Sequence, residues 1–250
     1  MLLSITMTSN GEYGRKEMSE RAGVMFATDC YEANYSKVFG LEFSMKHLMC
    51  SYPFEKRAII INNVENEEFV YDIFSYQGDC TDIVLASELA PIALEFFNLS
   101  HKTPSEGKSY YVDLPKAVAL YKAYTDGIKY LCYFEADCRL ITISDWVSRS
   151  IADIEKQDKV ITASPINFNS YGNLELSQIF SSQVFLIPVE PFCNDDVRVR
   201  LFNNNSPNFV REGGRYEDYS WFEHNIAKFL RDNDLLKRTY FDVLYFHPVM

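Results

Sequence analysis

Apolar positions along the chain fall into short runs, and the runs alternate between two spacings. Residues 23–28 (Gly-Val-Met-Phe-Ala-Thr), 57–61 (Arg-Ala-Ile-Ile-Ile), 81–86 and 130–134 (Tyr-Leu-Cys-Tyr-Phe) are near-continuous and end abruptly in polar residues. That is the mark of strands buried on both faces. Between them, residues 37–49 place Val38, Leu41, Phe43, Met45, Leu48 and Met49 at mostly helical spacing, with Tyr52-Pro53 as a stop. A helix beginning near Glu88 carries Pro91 in its first turn. Another over 114–126 has Pro115 near its start and Gly127 just past its end, the asymmetry expected of a helix. Strand and helix therefore alternate at least three times, which predicts an α/β chain with a mostly parallel central sheet and helices on both faces.

The remaining segments extend the same pattern. Residues 2–7 read as a short strand and 9–21 as a polar loop. After Asp145 a helix is predicted to about Gln157, then a strand over 160–163 closed by Pro165, a polar loop over 167–178 and a strand over 183–189. Residues 190–215 hold Pro191, Asn203 to Asn205, Pro207 and the Gly213-Gly214 pair, and read as one long irregular region. Loops of that length in a compact domain are usually functional. A helix over 216–232 and a strand over 241–246 close the chain before His247-Pro248.

Bulk properties narrow the function classes. The 250 residues suffice for one sizeable domain, and 47% hydrophobic content with 17 Tyr and 19 Phe is globular. A net charge of -11 leaves no basic face for a nucleic-acid backbone, so no nucleic-acid partner is expected. It leaves room for a nucleotide, whose phosphates one metal ion can neutralise locally. The six cysteines show neither a Cys-x-x-Cys pair nor zinc spacing, which predicts reduced thiols and a cytoplasmic location. No apolar run approaches a membrane span, so membrane contact would be peripheral.

Three places carry candidate chemistry. The strand at 130–134 stops at Glu135 and Asp137, one residue apart, where both side chains of an extended backbone point the same way. Ligands collect beyond the carboxyl ends of strands in open α/β sheets, and paired carboxylates there suit a hard divalent cation bearing a phosphate. The other reading of the same spacing is a turn with two solvated acids. The second place is residues 213–221, Gly-Gly-Arg-Tyr-Glu-Asp-Tyr-Ser-Trp, with Glu217 and Asp218 at a helix start, where capping and the macrodipole also explain acids. The third is His247. Lys116, near a helix start, is placed to reach a phosphate but reads first as a solvated surface lysine.

Taken in chain order, a carboxylate pair after a buried strand, an acidic pair after a glycine turn and a C-terminal histidine resemble the metal-dependent glycosyltransferases of the GT-A fold. Gly213 or Gly214, Glu217, Asp218 and Trp221 stand where inverting members have a Gly-x-x-x-Glu-Asp-x-x-Trp-like motif. Glu135-Ala136-Asp137 is similar to the Asp-x-Asp motif, with Glu first, and residues 114–160 resemble family 2 members. The resemblance covers most of the chain from about Gly23 onward. Two departures stand out. Asn62-Asn63 occupies the second-strand end where family 2 enzymes usually have Asp, and Thr28-Asp29 is the nearest position to their early Thr-x-x-Asn/Arg signature.

The resemblance implies a GT-A-like (Rossmann-like) single domain over 1–250, with a nucleotide-sugar half to about 165 and an acceptor half from about 166. It implies Mn²⁺ or Mg²⁺ held by Asp137 with Glu135 and His247, and donor contacts from Thr28, Asp29, Asn62 and Asn63. Asp218 would be the base of an inverting transfer to a glycan or glycoconjugate hydroxyl. Glu217 would orient the acceptor, Trp221 would pack on the sugar or in the core, and residues 190–215 would form a lid. Two competing readings stand beside it. A sugar nucleotidyltransferase would need a phosphate loop, for which residues 11–16 are a poor substitute. A non-catalytic carbohydrate- or protein-binding module would make the acids surface decoration.

Overall fold

The computed structural model describes residues 3–7, 13–17, 21–31, 52–77, 82–99, 108–142, 144–167, 175–202 and 221–246. The helix predicted over 37–49 lies outside these residues. So do Glu217, Asp218 and His247, and the side chain of Trp221 is likewise undescribed.

Leu3–Met7 (β1) and Tyr13–Glu17 (β2) pair as an antiparallel hairpin, so part of the predicted polar loop 9–21 is a strand. The rest of the described chain is built on one nine-stranded sheet. Its strands are Ala22–Cys30 (β3), Lys56–Ile61 (β4), Asp82–Leu85 (β5), Ile128–Phe134 (β6), Arg139–Leu140 (β7), Val160–Asn167 (β8), Leu176–Ser177 (β9), Val184–Pro188 (β10) and Leu236–Phe246 (β11). The order is β5-β4-β3-β6-β10-β8-β11-β7, with β9 beside β11. β3 lies parallel to β4 and to β6, and β4 parallel to β5. β10 runs antiparallel to both β6 and β8, which turns β8 and its parallel neighbour β11 back into line with β6. The sheet is thus mixed, with β3, β4, β5, β6, β8 and β11 pointing one way.

Continuous apolar strands want cover on both faces, and the helices supply it. On one face, Ala86–Phe96 (α2), Lys108–Thr125 (α3), Val189–Cys193 (α5), Asp195–Leu201 (α6) and Trp221–Asp232 (α7) enclose Met25, Ala27, Ala58, Ile60, Leu131, Tyr133 and Phe185. On the other, Glu67–Gln77 (α1) covers Cys30, Ile59 and Ile61, and Trp146–Lys156 (α4) covers Val24, Phe26, Cys132 and Phe134. α3 is enclosed: every residue from Asp113 to Leu120 is buried. It ends as its sequence predicts, with Gly127 at φ 70 and its N–H on Tyr124 O at 3.2 Å. Cys30, Cys132, Cys138 and Cys193 are buried thiols. No described helix is long and apolar enough to cross a membrane.

Several predicted boundaries move. α3 begins at Lys108, six residues before the predicted start, so Pro115 is inside the helix. β8 continues through Pro165 to Asn167 rather than stopping at it. β11 begins at Leu236, because its buried positions Lys237 and Thr239 are polar and a search for apolar runs skips them. The region predicted as irregular from 190 contains α5 and α6, the latter capped by the Asn194 side chain accepting from Asp196 N at 3.1 Å.

Candidate active site at the carboxyl ends of β3 and β6

The chain leaves β3 toward β4 and β5, then crosses back through α3 to place β6 on the other side of β3. That reversal marks the point beyond the carboxyl ends of β3 and β6, the place where open α/β sheets bind ligands. Asp29, Glu135 and Asp137 stand around it. Asp29 is the penultimate residue of β3, and Glu135 to Asp137 form the turn directly after β6.

Hydrogen bonds lock these groups together. Asp29 Oδ1 accepts from Ala136 N at 3.0 Å and from Tyr133 OH at 3.1 Å. Cys138 N donates to Glu135 O at 2.9 Å and closes the turn. Glu135 N donates to Gln183 O at 2.8 Å, tying the turn to the start of β10. The larger surprise is Lys116. It is 1% exposed, with Nζ 2.7 Å from Glu135 Oε1 and 2.9 Å from Val112 O. The expectation of a solvated surface lysine is therefore wrong. Its signal was present in the sequence, since Lys116 interrupts the apolar stripe that continues through Leu120 and Ala123 at helical spacing.

Electrostatics follow from this packing. Burial, then the Glu135 charge, pushes the Asp29 carboxyl up to about 6, against the opposing pull of Lys116 and of the Ala136 N–H. Burial works against the Lys116 ammonium, but Glu135 and Asp113 outweigh it and hold its proton more tightly than usual. Between its ordinary value of 3.8 and about 6, Asp29 keeps a proton in the folded chain that it loses in the unfolded one. Its contribution to stability therefore falls as pH rises through that window. An Asp29→Asn chain, whose amide oxygen can accept the same two bonds, is expected to gain about 2–3 kcal/mol over wild type at pH 7.5, shrinking toward zero near pH 4. Denaturant unfolding at both pH values, in chelator, checks this.

The other site residues fall into place unevenly. Asn62, at the end of β4, is buried with its N–H on Cys30 O at 2.8 Å. Asn63 is exposed at φ 53, a left-handed turn position that suits asparagine. Thr28 is buried on the opposite sheet face from Asp29, and its Oγ1 has no hydrogen-bond partner among the described residues. The structure brings Asp29, Glu135 and Asp137 together and adds Lys116, Tyr133, Cys138 and Gln183, which the sequence reading did not assign to the site.

One ligand atom each from Glu135, Asp137 and Cys138 lie within 4.8 Å of one another. The two carboxylates are the hard oxygen donors that Mg²⁺ or Mn²⁺ takes. Cys138 fits poorly as a ligand for such an ion, because sulfur is a soft donor and a hard cation takes oxygen. The oxygen pair fits a hard cation, with one Glu135 oxygen already engaged by Lys116.

No protein-family model matches the chain, and no curated protein matches it by sequence. Among solved structures, it is similar to the mannosyltransferase PcManGT from Pyrobaculum calidifontis, in complex with GDP-Man and Mn²⁺. That match has a TM-score of 0.53 and 13% identity over 93% of this chain. The chain has a GT-A-like fold. Weaker likenesses are to GalNAc-T7 with UDP, GalNAc and Mn²⁺ (TM-score 0.49, 10% identity, 98% of this chain) and to S. aureus TarS (TM-score 0.48, 13% identity, 91% of this chain). The chain spans 58% of the mannosyltransferase, 47% of GalNAc-T7 and 37% of TarS.

Proposed function

We propose that this chain is a metal-dependent glycosyltransferase that moves a sugar from a nucleotide-sugar donor to a glycan or glycoconjugate hydroxyl, with inversion. The observation that carries this reading is the acidic turn Glu135–Asp137 held against Asp29 at the sheet's reversal point, in a GT-A-like fold. Residues to about 165 form the donor half, and residues from about 166 the acceptor half.

Asp137 and the outer oxygen of Glu135 would hold Mn²⁺ or Mg²⁺, with His247 as a further ligand. When bound, the ion supplies Lewis-acid neutralisation of the charge that builds on the leaving diphosphate. Lys116 fixes the Glu135 carboxylate, and Asp29 fixes the backbone of the turn through Ala136 N. Asn62, Asn63 and Thr28 offer hydrogen bonds to the nucleoside from the ends of β4 and β3. Asp218 takes the acceptor proton as the hydroxyl attacks the anomeric carbon from the face opposite the diphosphate, and Glu217 orients that hydroxyl.

Calorimetric titration of nucleoside diphosphates with and without Mn²⁺ tests the reading. One diphosphate is expected to bind in a metal-dependent way, unchanged in Asp218→Asn, which loses turnover instead. A folded chain that binds none of the panel would sink it.

A further inference from the structure

Glu223 sits in the first turn of α7, where an acid is ordinarily explained by the helix dipole and faces water or its own helix. Here it turns inward. Its Oε2 accepts from Ser182 N at 2.9 Å, a backbone group of another segment, and Ser182 is 2% exposed. The next residue is a hub. Gln183 O receives Glu135 N at 2.8 Å and Cys138 Sγ at 3.9 Å, the two ends of the acidic turn. Gln183 Oε1 receives Asn167 Nδ2 at 2.9 Å from the end of β8 and Tyr245 OH at 3.1 Å from β11. Because β10 runs antiparallel to β6, this Ser182-Gln183 pair enters the sheet directly beside the carboxyl end of β6.

A carboxylate drawn partly out of water is costly unless it is hydrogen-bonded and paired with an opposite charge. Lys237, 3% exposed on β11, supplies an opposing charge to Glu223. We propose that Glu223 is a positioning residue for the turn Glu135–Asp137, acting through Ser182 and Gln183. α7 begins where residues 203–220 end, so this contact also joins the helix that follows Glu217 and Asp218 to the donor-side turn. The positioning role stands on geometry alone, and its consequence for metal and nucleotide rests on the function proposed above.

Hydrogen–deuterium exchange on the metal-free chain tests it without reference to any ligand. In Glu223→Ala, the amides of Glu135, Ala136 and Cys138 are expected to exchange about tenfold faster or more, while those inside β3 and β6 keep wild-type rates. Glu223→Gln retains an oxygen that accepts from Ser182 N and is expected to stay within about threefold of wild type. Metal-dependent nucleotide affinity is expected to fall about tenfold in the alanine variant only, the size seen when groups behind a metal ligand are removed. Unchanged turn exchange in Glu223→Ala overturns the proposal whatever the titration gives. So does a glutamine variant as fast as the alanine one, or acceleration spread evenly through β3 and β6. Faster turn exchange in a protein whose wild type binds no nucleotide supports the positioning role and sinks the transferase reading instead.

Discussion

Asp137→Asn is expected to lower metal-dependent nucleotide affinity and turnover by about 10²–10³-fold, the scale on which removing one preorganised electrostatic group costs an enzyme. The asparagine keeps the shape and one oxygen but loses the charge that a hard cation needs. Folding should not suffer. Asp137 is 7% exposed, and its charge is one of those that push the Asp29 carboxyl upward. Removing it relieves repulsion among three acids, so the melting temperature in chelator should hold or rise. Titration of nucleoside diphosphate with Mn²⁺, alongside a thermal melt, separates the two effects. Wild-type affinity in a folded Asp137→Asn chain would refute its role as a ligand.

The second large effect is on stability. Lys116→Met keeps the length and apolar stem of the side chain but leaves Asp29, Asp113 and Glu135 without their shared cation. Breaking a buried pair from one side costs about 3–5 kcal/mol, and the 18% exposure of the Glu135 side chain places this case at the lower end. About 3 kcal/mol in a chain of this size lowers the melting temperature by roughly 6–12 °C. The loss should be smaller at pH 5 than at pH 8, because at pH 5 Asp29 holds its proton and one of the stranded charges is gone. Adding Glu135→Gln should recover much of the loss, since coupled partners do not add. A loss in the double variant equal to the sum of the Lys116→Met and Glu135→Gln losses would show that the pair contributes nothing beyond its separate members.

How much of this was legible depends on which physical signal each feature leaves. The buried strands β3, β4 and β6 announced themselves because burial on both faces demands unbroken apolar runs, and those runs end at Asp29, Asn62 and Glu135. That is why the acidic turn was found. Lys116 was misread because its place in the apolar stripe was passed over, and its partner Glu135, nineteen residues away, lies over it only after the α3 crossover. Gln183, Tyr133 and Glu223 left no mark either, as their roles depend on which strand lies beside β6. The antiparallel insertion of β10 that decides this is encoded in long-range pairing, not in local periodicity. Glu217, Asp218 and His247 stood out by residue type and place and lie outside the described residues; their roles come from the resemblance, and Asp218→Asn tests that of Asp218.

The four buried cysteines among the described residues give the molecule an internal set of reporters. Burial holds the thiols of Cys132, Cys138 and Cys193 far from the thiolate form that reacts with alkylating reagents. Cys138 closes the acidic turn, whereas Cys132 lies mid-strand in β6 between β3 and β10. Cys132 can be labelled only when the central sheet parts, but Cys138 needs only its own turn to loosen. The ratio of their labelling rates therefore reads local breathing of the acidic turn against opening of the whole domain, with no probe added to the native chain.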